Sequence, residues 1–439
     1  MARFDDVCAA VEEAIAESDT PGVAVGLLED GEEHVRGFGV TSVENPLEVT
    51  PETLFQIGSI TKTFTGTVAM ILVERGELEL DAPVRTYLPE LRLLDEEAAA
   101  KATMRHLLTH TAGWVGDYFD DHGSGDDALA RIVASLSELP QLTPLGEVWS
   151  YNNAGFYIAG RVIEVIAKQP YERVVQELLL EPLDLGNTFF FAEDVMTRRF
   201  AVGHLMSDDG PPTVARPWPI GRSAHPAGGL ASTAGDLLRY ARFQMSDGEG
   251  VVSRAALDEM QRVQHHVGSI FQDVGLTWSL ATRNGRRIVS HGGGTNGQIA
   301  LFAFLPDEGA ALAVLTNHQR GGEAAVAAAD AFGIGRDART PIDVEAEEYL
   351  GTYSSALQDV ELRREDGRLL LVVMPRGGFP MKDSPPMPAP PPMPVAFHEP
   401  DRVFVSEGPA KGMEAEFLRA PDGGISWFRV GGRVMQRVA

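Results

Sequence analysis

The spacing of apolar residues along the chain predicts where its first helix and strands lie. An amphipathic helix at the start is indicated by four apolar residues at helical spacing, Phe4, Val7, Val11 and Ile15. The apolar-rich segments 22–29 and 32–40 lie on either side of Asp30-Gly31, a pair typical of a two-residue hairpin turn. The chain is therefore predicted to begin with a helix followed by two antiparallel strands.

Strand patterns return in the last third of the first 334 residues. A second hairpin is predicted around Asn284-Gly285, and the segments 299–305 and 310–316 predict a further strand pair. The intervening stretch is mostly helical in pattern. We therefore predict an α/β fold in which strands from both ends form one antiparallel sheet, flanked by helices and joined by a mostly helical subdomain.

The pattern changes again from Glu347 onward, where short strands alternate with glycine-bearing turns. Six strands are predicted there, at 360–363, 369–373, 403–405, 415–419, 425–430 and 433–438. They indicate a small all-β barrel or sandwich. The proline-rich segment 384–394 is predicted to be a loop, because proline cannot donate to a strand ladder. The predicted division is a domain at 1–334, a linker at 335–346 and an all-β domain at 347–439.

Charge and composition restrict the function classes. The 439 residues carry a formal net charge of −26, which argues against nucleic-acid and anionic-membrane partners. No apolar stretch has the length of a membrane span. The N-terminus lacks the basic and apolar regions of a signal peptide, and Cys8 is the only cysteine. A cytoplasmic location is therefore predicted, with Cys8 packed in the core.

Ser59 and Lys62 are the first candidates for chemistry. Residues three apart lie on the same face of a helix, so these two side chains are predicted to be neighbours. A serine hydroxyl needs a base to take its proton, and burial lowers the pKa of a lysine towards the neutral amine that can do so. A Ser-x-x-Lys pair alone has a high false-positive rate, so its weight depends on the motifs that follow.

Two further motifs follow in order along the chain. Tyr151-Asn152-Asn153 precedes a long apolar helix, and His291-Gly292-Gly293 lies in a predicted strand. An acidic loop at 115–127 has two interpretations: a solvated loop, or a charged lip beside the site. No histidine shows the spacing of metal ligands, so neither a metal nor an organic cofactor is predicted.

With these motifs the chain resembles the serine β-lactamase and penicillin-binding-protein superfamily, whose first motif is Ser-x-x-Lys. It is most similar to the class C-like branch, where the second motif is Tyr-x-Asn, and to its D-aminopeptidase, carboxypeptidase and esterase relatives. The resemblance covers about 5–333, and the stretches 107–113 and 227–230 are also typical of that branch. The C-terminal domain resembles the lipocalin-like barrels of several such hydrolases.

The resemblance implies catalytic roles for three residues. Ser59 would be the acylated nucleophile, and Lys62 would accept or relay its proton. Tyr151 would pass a proton to the leaving group, provided that neighbouring cations such as Lys62 lower its pKa. All three precede the predicted linker, so the catalytic unit is expected to remain competent without the barrel.

The resemblance also implies a substrate-binding set. Asn153 would orient Lys62 and bind the substrate amide, and the N–H of Gly294 would form an oxyanion hole with that of Ser59. His291 and Gly293 belong to the third motif, where many relatives have Lys-Thr-Gly. Because histidine is only partly charged at neutral pH, carboxylate recognition by His291 is in question.

Three function hypotheses remain open from the sequence. The first is a serine hydrolase that cleaves a small amide, peptide or ester bond through a Ser59 acyl-enzyme. The second is an acyltransferase of the same fold that passes the acyl group to an amine or alcohol. The third is a non-catalytic protein that holds a ligand in its barrel. The expected partner is a small molecule or short peptide, and the oligomeric state is left open.

Overall fold

An eight-stranded antiparallel sheet and a closed barrel organise the computed structural model, which describes residues 2–207, 210–268, 272–408 and 410–438. The sheet strands are β1 Gly22–Glu29, β2 Glu32–Gly39, β7 His265–His266, β8 Asp273–Val274, β9 Ser279–Arg283, β10 Arg286–Gly294, β11 Ile299–Leu305 and β12 Ala310–Thr316. Short ladders outside it are β3 Phe55–Gln56 with β6 Ala231–Ser232, and β4 His204–Leu205 with β5 Thr213–Val214.

The helices surround this sheet. They are α1 Ala2–Ser18, α2 Thr61–Glu74, α3 Glu96–Lys101, α4 Met104–Leu108, α5 Ala128–Ser135, α6 Asn153–Ala167, α7 Tyr171–Val175, α8 Ala192–Val195, α9 His225–Gly228, α10 Ala234–Met245, α11 Arg254–Gln261 and α12 Gly322–Ala331. Single helical turns occur at Gly58–Ile60, Val84–Thr86, Leu136–Glu138, Arg222–Ala224 and Glu347–Tyr349 (3₁₀), and at Gln176–Leu180 (π).

The sheet order is β2-β1-β12-β11-β10-β9-β8-β7, so strands from both ends of the first 334 residues meet at its centre. β1 pairs with β12 from Val23↔Thr316 to Leu28↔Ala311. Both strands are almost entirely buried because helices cover both faces. At the predicted hairpin, Asp30 and Gly31 both have positive φ, as a primed turn requires.

Two apolar cores lie on opposite faces of the sheet. On one face α1 and α12 pack against the strands, with Phe4, Val7, Cys8 and Val11 buried, as predicted. On the other face α2, α10 and the helical subdomain form the larger core. Together they form the predicted α/β arrangement, which places the N-terminus of α2 beside the end of β10.

The C-terminal strands close into a barrel, which confirms the predicted fold class. They are β13 Gly351–Ser354, β14 Gln358–Glu365, β15 Arg368–Pro375, β16 Met393–Glu399, β17 Arg402–Val405, β18 Glu414–Arg419, β19 Ile425–Val430 and β20 Arg433–Arg437. The prediction missed β13 and β16. β13 is only four residues long, and β16 includes Pro394, so the proline-rich loop ends at residue 392 rather than 394.

The barrel interior is filled by its own side chains. Aromatic residues dominate it, with Phe417 stacked on Phe428 at 4.1 Å between ring centroids and Tyr353 buried beside them. This packing gives no support to the hypothesis that the barrel holds a ligand inside. The domain division stays a prediction, supported by the absence of helices and strands between α12 and the turn at Glu347–Tyr349 in the described residues.

No helix in the described ranges combines the length and apolar character needed to cross a membrane.

Candidate active site

The turn Gly58–Ile60 presents Ser59 at the start of α2. Gly58 has φ +50°, and a Cβ atom there would lie 2.7 Å from the nitrogen of Gly294 at the end of β10. A Cβ on Gly293 would lie 1.9 Å from the carbonyl oxygen of Ile57. The absence of side chains at these glycines therefore lets β10 approach the serine turn, and brings the backbone amide of Gly294 beside Ser59.

Lys62 lies one turn into α2 and is fully buried. Its Nζ is 3.0 Å from Ser59 Oγ and 2.5 Å from the carbonyl oxygen of Ala227. Burial lowers the pKa of Lys62 well below its usual value, and the charge of Arg433 lowers it further, against the opposing effect of Asp117. A neutral amine can donate one hydrogen to Ala227 and direct its lone pair at the Ser59 hydroxyl, as a general base requires.

Tyr151 lies on the other side of Lys62, whose Nζ is 4.9 Å from the centre of the tyrosine ring. The buried hydroxyl interacts with Ser59 without reaching hydrogen-bond geometry. Burial raises the pKa of Tyr151 above its usual value, although Ser59 and the charge of Arg433 act to lower it. The expectation that neighbouring cations leave Tyr151 with a lowered pKa is therefore wrong, because desolvation outweighs them. Tyr151 remains a protonated phenol at neutral pH.

The segment that carries Tyr151 is held by His110. The two rings stack with centroids 4.4 Å apart, and the backbone N–H of Asn152 donates to His110 Nδ1 at 2.9 Å. Asn152 in turn caps α6, accepting from the N–H of Gly155 at 2.8 Å. Burial lowers the pKa of His110 well below its usual value, so its ring is a neutral acceptor. The 107–113 stretch noted in the sequence thus positions the second motif.

Asn153, at the first position of α6, donates through Nδ2 to Asp117 Oδ1 at 2.8 Å. The resemblance implies that Asn153 orients Lys62 and binds the substrate amide, and this role stays a prediction. In the structure the amide of Asn153 contacts Asp117, whose carboxylate charge acts to raise the pKa of Lys62. One member of the acidic loop at 115–127 therefore reaches the site, as the charged-lip interpretation anticipated.

His291 lies on β10, buried, with its ring centroid 6.2 Å from that of Tyr151. Its Nδ1–H donates to the carbonyl of Gly292 at 2.6 Å, which leaves Nε2 as the acceptor nitrogen. Burial, together with the charge of Lys62, lowers the pKa of His291 to about 3. The imidazole is therefore neutral across the physiological range, and it does not supply the charge that lysine supplies in many relatives.

A permanent cation at the site comes from the barrel. The guanidinium of Arg433, at the start of β20, donates to Asp117 Oδ2 at 3.1 Å and lies 4.7 Å from the centre of the Tyr151 ring. Burial acts to lower the pKa of Arg433. The charge and hydrogen bonds of Asp117 outweigh this effect, so the pKa of Arg433 is raised overall. The guanidinium therefore stays charged beside Tyr151, while 38% of the side-chain surface of Arg433 is exposed.

The barrel also braces the backbone of the second motif. The carbonyl of Gly432 accepts the N–H of Tyr151 at 2.8 Å, and Ser150 Oγ accepts the N–H of Val434 at 3.2 Å. Arg429 donates to the carbonyl of Trp149 at 2.7 Å. Arg433 and Gly432 are therefore part of the cluster. The expectation that the catalytic unit remains competent without the barrel stays a prediction.

The sequence-predicted residues are thus brought together, from four elements. Ser59 and Lys62 come from α2 and its preceding turn, Tyr151 and Asn153 from the start of α6, and His291, Gly293 and Gly294 from β10. Sequence reasoning missed the roles of His110, Asp117 and Arg433. Arg433 had no signal, because its position depends on how the barrel docks. In the described ranges no group of three or more His, Cys, Asp or Glu side chains is placed to hold a metal ion.

Comparison with known proteins agrees with this geometry. The sequence model of the Beta-lactamase family matches residues 7–334. The chain belongs to the beta-lactamase family. Among its relatives, penicillin-binding protein 4 of Amycolatopsis lactamdurans is 34% identical over an alignment of 311 residues that covers 69% of this chain and 82% of that protein.

Solved structures extend the similarity. The crystal structure of SurE matches with a TM-score of 0.77 and 26% identity, covering 100% of this chain and 99% of SurE, so the match includes the barrel. A second structure of SurE contains D-Leu. A class C beta-lactamase from Rhodobacter sphaeroides matches with a TM-score of 0.63 and 26% identity, over 74% of this chain and 98% of that enzyme. These family members support a serine hydrolase of this fold.

Proposed function

We propose that this protein is a serine hydrolase that cleaves a small amide, peptide or ester bond through an acyl-enzyme on Ser59. The observation that carries the proposal is the buried Lys62 amine, 3.0 Å from Ser59 Oγ and held by the Ala227 carbonyl. A buried lysine with a lowered pKa, in contact with a serine at a helix start, is the arrangement that nucleophilic catalysis needs.

Acylation begins when Lys62 takes the Ser59 proton and Oγ attacks the substrate carbonyl carbon. The new O–C bond converts the carbonyl oxygen to an oxyanion, which the amides of Ser59 and Gly294 stabilise. Collapse breaks the bond to the leaving amine or alcohol. In the proposed step Tyr151 gives that group its phenolic proton and receives the proton held by Lys62, which restores the phenol; the 4.9 Å between Lys62 Nζ and the centre of the Tyr151 ring supports this relay.

Deacylation repeats these steps with water as the nucleophile. Lys62 accepts the proton of the water that attacks the acyl carbon, and the bond to Ser59 Oγ breaks as Lys62 returns that proton to the serine. The products are a carboxylic acid and the amine or alcohol. If an amine or alcohol replaces water, the same site transfers the acyl group, so both reactions share the acylation half.

We propose a D-configured amino-acyl group as the preferred acyl donor class. The support is the similarity, over the whole chain, to SurE, of which a structure contains D-Leu. Arg433 and Asp117 next to Tyr151 offer a cation and an anion to the polar groups of such a residue. We also propose small-molecule or short-peptide substrates and a cytoplasmic location, for which the single cysteine, Cys8, is the support.

The test is covalent labelling followed by product analysis. Incubation with a fluorophosphonate should add one adduct, located on Ser59 by peptide mass spectrometry, and Ser59→Ala should abolish it. Ser124→Ala, at an exposed serine of the acidic loop, serves as a matched serine control outside the nucleophile turn. D- and L-amino-acid p-nitroanilides, with and without an added amine, then separate stereochemistry and hydrolysis from acyl transfer. A folded protein with no adduct on Ser59 would leave only the binding-protein hypothesis.

A further inference from the structure

The proline-rich segment of the barrel, residues 376–392 between β15 and β16, is an ordered element, here named the strap. Its first part forms a compact turn: the N–H of Gly378 donates to the carbonyl of Ser384 at 2.9 Å, and that of Ser384 donates to the carbonyl of Met381 at 2.9 Å. Six prolines follow within 385–392. They restrict the backbone and keep this part extended.

One end of the strap contacts the acidic loop of the first domain. The rings of Phe379 and Phe119 meet edge to face with centroids 5.1 Å apart. Beside them Lys382 Nζ lies 3.5 Å from Asp120 Oδ2. Asp120 follows three residues after Asp117, which binds Asn153 and Arg433. This contact therefore lies on the wall of the cleft that carries the second motif.

The other end of the strap contacts the opposite wall. Met387 Sδ lies 4.0 Å from Gln319 Nε2 in the loop after β12. The N–H of Gln319 donates to the carbonyl of His204 at 3.0 Å, and the N–H of His204 donates to the carbonyl of Gly297 at 3.1 Å. Gly297 follows Gly294 by three residues, so this wall is the one that carries the oxyanion strand.

The number of residues between the two ends of the strap limits the distance that it can span. Lys382 and Met387 are five residues apart, so their Cα atoms are at most roughly 18 Å from each other. Ser59 lies between the two walls, next to Gly294 on one side and near Tyr151 on the other. The strap therefore connects the acidic loop on one side of the cleft to the loop after β12 on the other.

We infer that the strap determines specificity, admitting an extended acyl chain of single-residue width with apolar groups and excluding bulky fused-ring donors. This inference rests on the proposed Ser59 acyl-enzyme. Phe119 and Phe379 offer apolar surface at one end, and Met387, 42% exposed, offers an adaptable apolar surface at the other. A chain of single-residue width passes beneath without breaking these contacts, whereas a fused bicyclic donor must lift the strap.

The ion pair of Lys382 with Asp120 is the contact most open to experiment. The side chains are 64% and 31% exposed, so the pair can be reversed without burying a charge. Lys382→Asp places two carboxylates together and should release this end of the strap. Lys382→Asp combined with Asp120→Lys restores opposite charges and should close it again.

The experiment compares kcat/KM for p-nitrophenyl octanoate and p-nitrophenyl acetate in wild type and variants. Phe379→Ala and Lys382→Asp should each lower the octanoate-to-acetate ratio about tenfold, because the long chain loses its apolar cover. They should also raise the rate of acylation by nitrocefin, a fused-ring donor. The charge-swapped double variant should recover the wild-type ratio. Met381→Ala removes a methionine of the same strap that is 41% exposed, and should change neither value.

Fluorophosphonate labelling of Ser59 in every variant distinguishes the possible failures. Intact labelling with an unchanged octanoate-to-acetate ratio in both Phe379→Ala and Lys382→Asp would overturn the role of the strap and leave the proposed function standing. A ratio lowered in Lys382→Asp but not restored by the charge swap would overturn the wall-to-wall contact as its cause. Absence of labelling in the wild-type protein would overturn the proposed function, and the strap inference with it.

Discussion

Arg433 of the barrel stands over the ring of Tyr151 in the first domain, with its guanidinium carbon 4.7 Å from the ring centroid. The same guanidinium donates to Asp117, which accepts from Asn153. A cation from one domain and an anion from the other therefore flank the proton-transfer groups. The charge of Arg433 lowers the pKa of Lys62, and the charge of Asp117 raises it. The pH dependence of acylation therefore reports on whether the barrel is docked.

Arg433→Gln should shift the pH profile to higher pH. Lys62 acts as a base only when neutral, so kcat/KM rises with pH until Lys62 has lost its proton. Arg433 lowers the pKa of Lys62, and its removal should raise that pKa and move the rising limb upward. Below the plateau, kcat/KM should fall several-fold at a fixed pH. Arg433→Lys keeps the charge and should retain most of the wild-type profile.

Asp117→Asn should shift the pH profile in the opposite direction, to lower pH. The carboxylate of Asp117 raises the pKa of Lys62, so its neutralisation should move the rising limb to lower pH. Both profiles are measured with one neutral ester, which has no charge of its own to titrate. Equal profiles for Arg433→Gln, Asp117→Asn and wild type would mean that Lys62 is not the group whose proton loss controls acylation.

Tyr151→Phe should slow turnover by about 10²- to 10⁴-fold, the range of general acid–base catalysis. The ring and its stacking on His110 remain, so the free energy of unfolding should change little. Burial holds the pKa of Tyr151 high, so the wild-type side chain is an uncharged phenol. Tyr151→Phe therefore removes a proton donor and does not remove a charge. The loss should be larger for a p-nitroanilide than for a p-nitrophenyl ester, whose leaving group needs no proton. If Tyr151→Phe slows turnover of the anilide and of the ester by the same factor, Tyr151 does not donate the proton to the leaving group.

Substitutions at Gly292 and Gly293, neighbours on β10, form a matched pair that tests the geometry of the oxyanion hole. A Cβ on Gly293 would lie 1.9 Å from the Ile57 carbonyl, whereas one on Gly292 would be 3.8 Å from its nearest neighbour, the Ala300 carbonyl. Gly293→Ala should therefore push β10 away from the serine turn and lower kcat by about 10²-fold, the cost of a misplacement near 1 Å. Gly292→Ala should be nearly silent. Similar losses in both variants would argue against the close approach at Gly293.

His291 should not titrate in the working range of the enzyme. With a pKa of about 3, the imidazole is neutral from pH 5 to 9. The kcat/KM ratio of a carboxylate-bearing substrate to its neutral analogue should therefore be flat over that range. His291→Lys should change this ratio at every pH by adding a charge. A wild-type ratio that rises as pH falls from 7 to 5 would show that His291 becomes protonated in the site.

Local patterns predicted much of the fold. Asp30-Gly31 and Asn284-Gly285 specify hairpins by their own turn chemistry, and each lies between the strands observed. The spacing of Ser59 and Lys62 predicted their contact, because a helix fixes that neighbour relation within one turn. These features depend on residues close together in the sequence, where the physical rules are strongest.

Features that depend on long-range packing were beyond sequence reasoning. Arg433 reaches the site only because β19 and β20 dock on the segment around Tyr151, more than 280 residues earlier in the chain. Asp117 was one of several acidic residues in its loop, and nothing local distinguishes it from Asp120 or Asp126. The charge of His291 likewise depends on burial, which the glycine run beside it does not reveal.

Arg429 tests whether docking of the barrel sustains catalysis. Its buried guanidinium donates to the carbonyls of Trp149 and Val267, both in the first domain, and forms an ion pair with Glu416. Arg429→Met should remove these two hydrogen bonds to the first domain and so weaken docking, and should leave the buried Glu416 without this partner at a cost of about 3–5 kcal/mol to the barrel. The backbone amide of Tyr151, bound to the Gly432 carbonyl, should then exchange its hydrogen faster, and Ser59 should be labelled more slowly.

The matched control is Arg437→Met in the next strand. Arg437 donates to the carbonyls of Glu348 and Leu350, both within the barrel, so its loss should affect the barrel without releasing the segment around Tyr151. Hydrogen exchange at Tyr151 and the rate of fluorophosphonate labelling are measured on both variants. If Arg429→Met exposes the Tyr151 amide while Ser59 labelling keeps its wild-type rate and pH profile, the barrel braces the second motif but takes no part in setting the reactivity of Ser59.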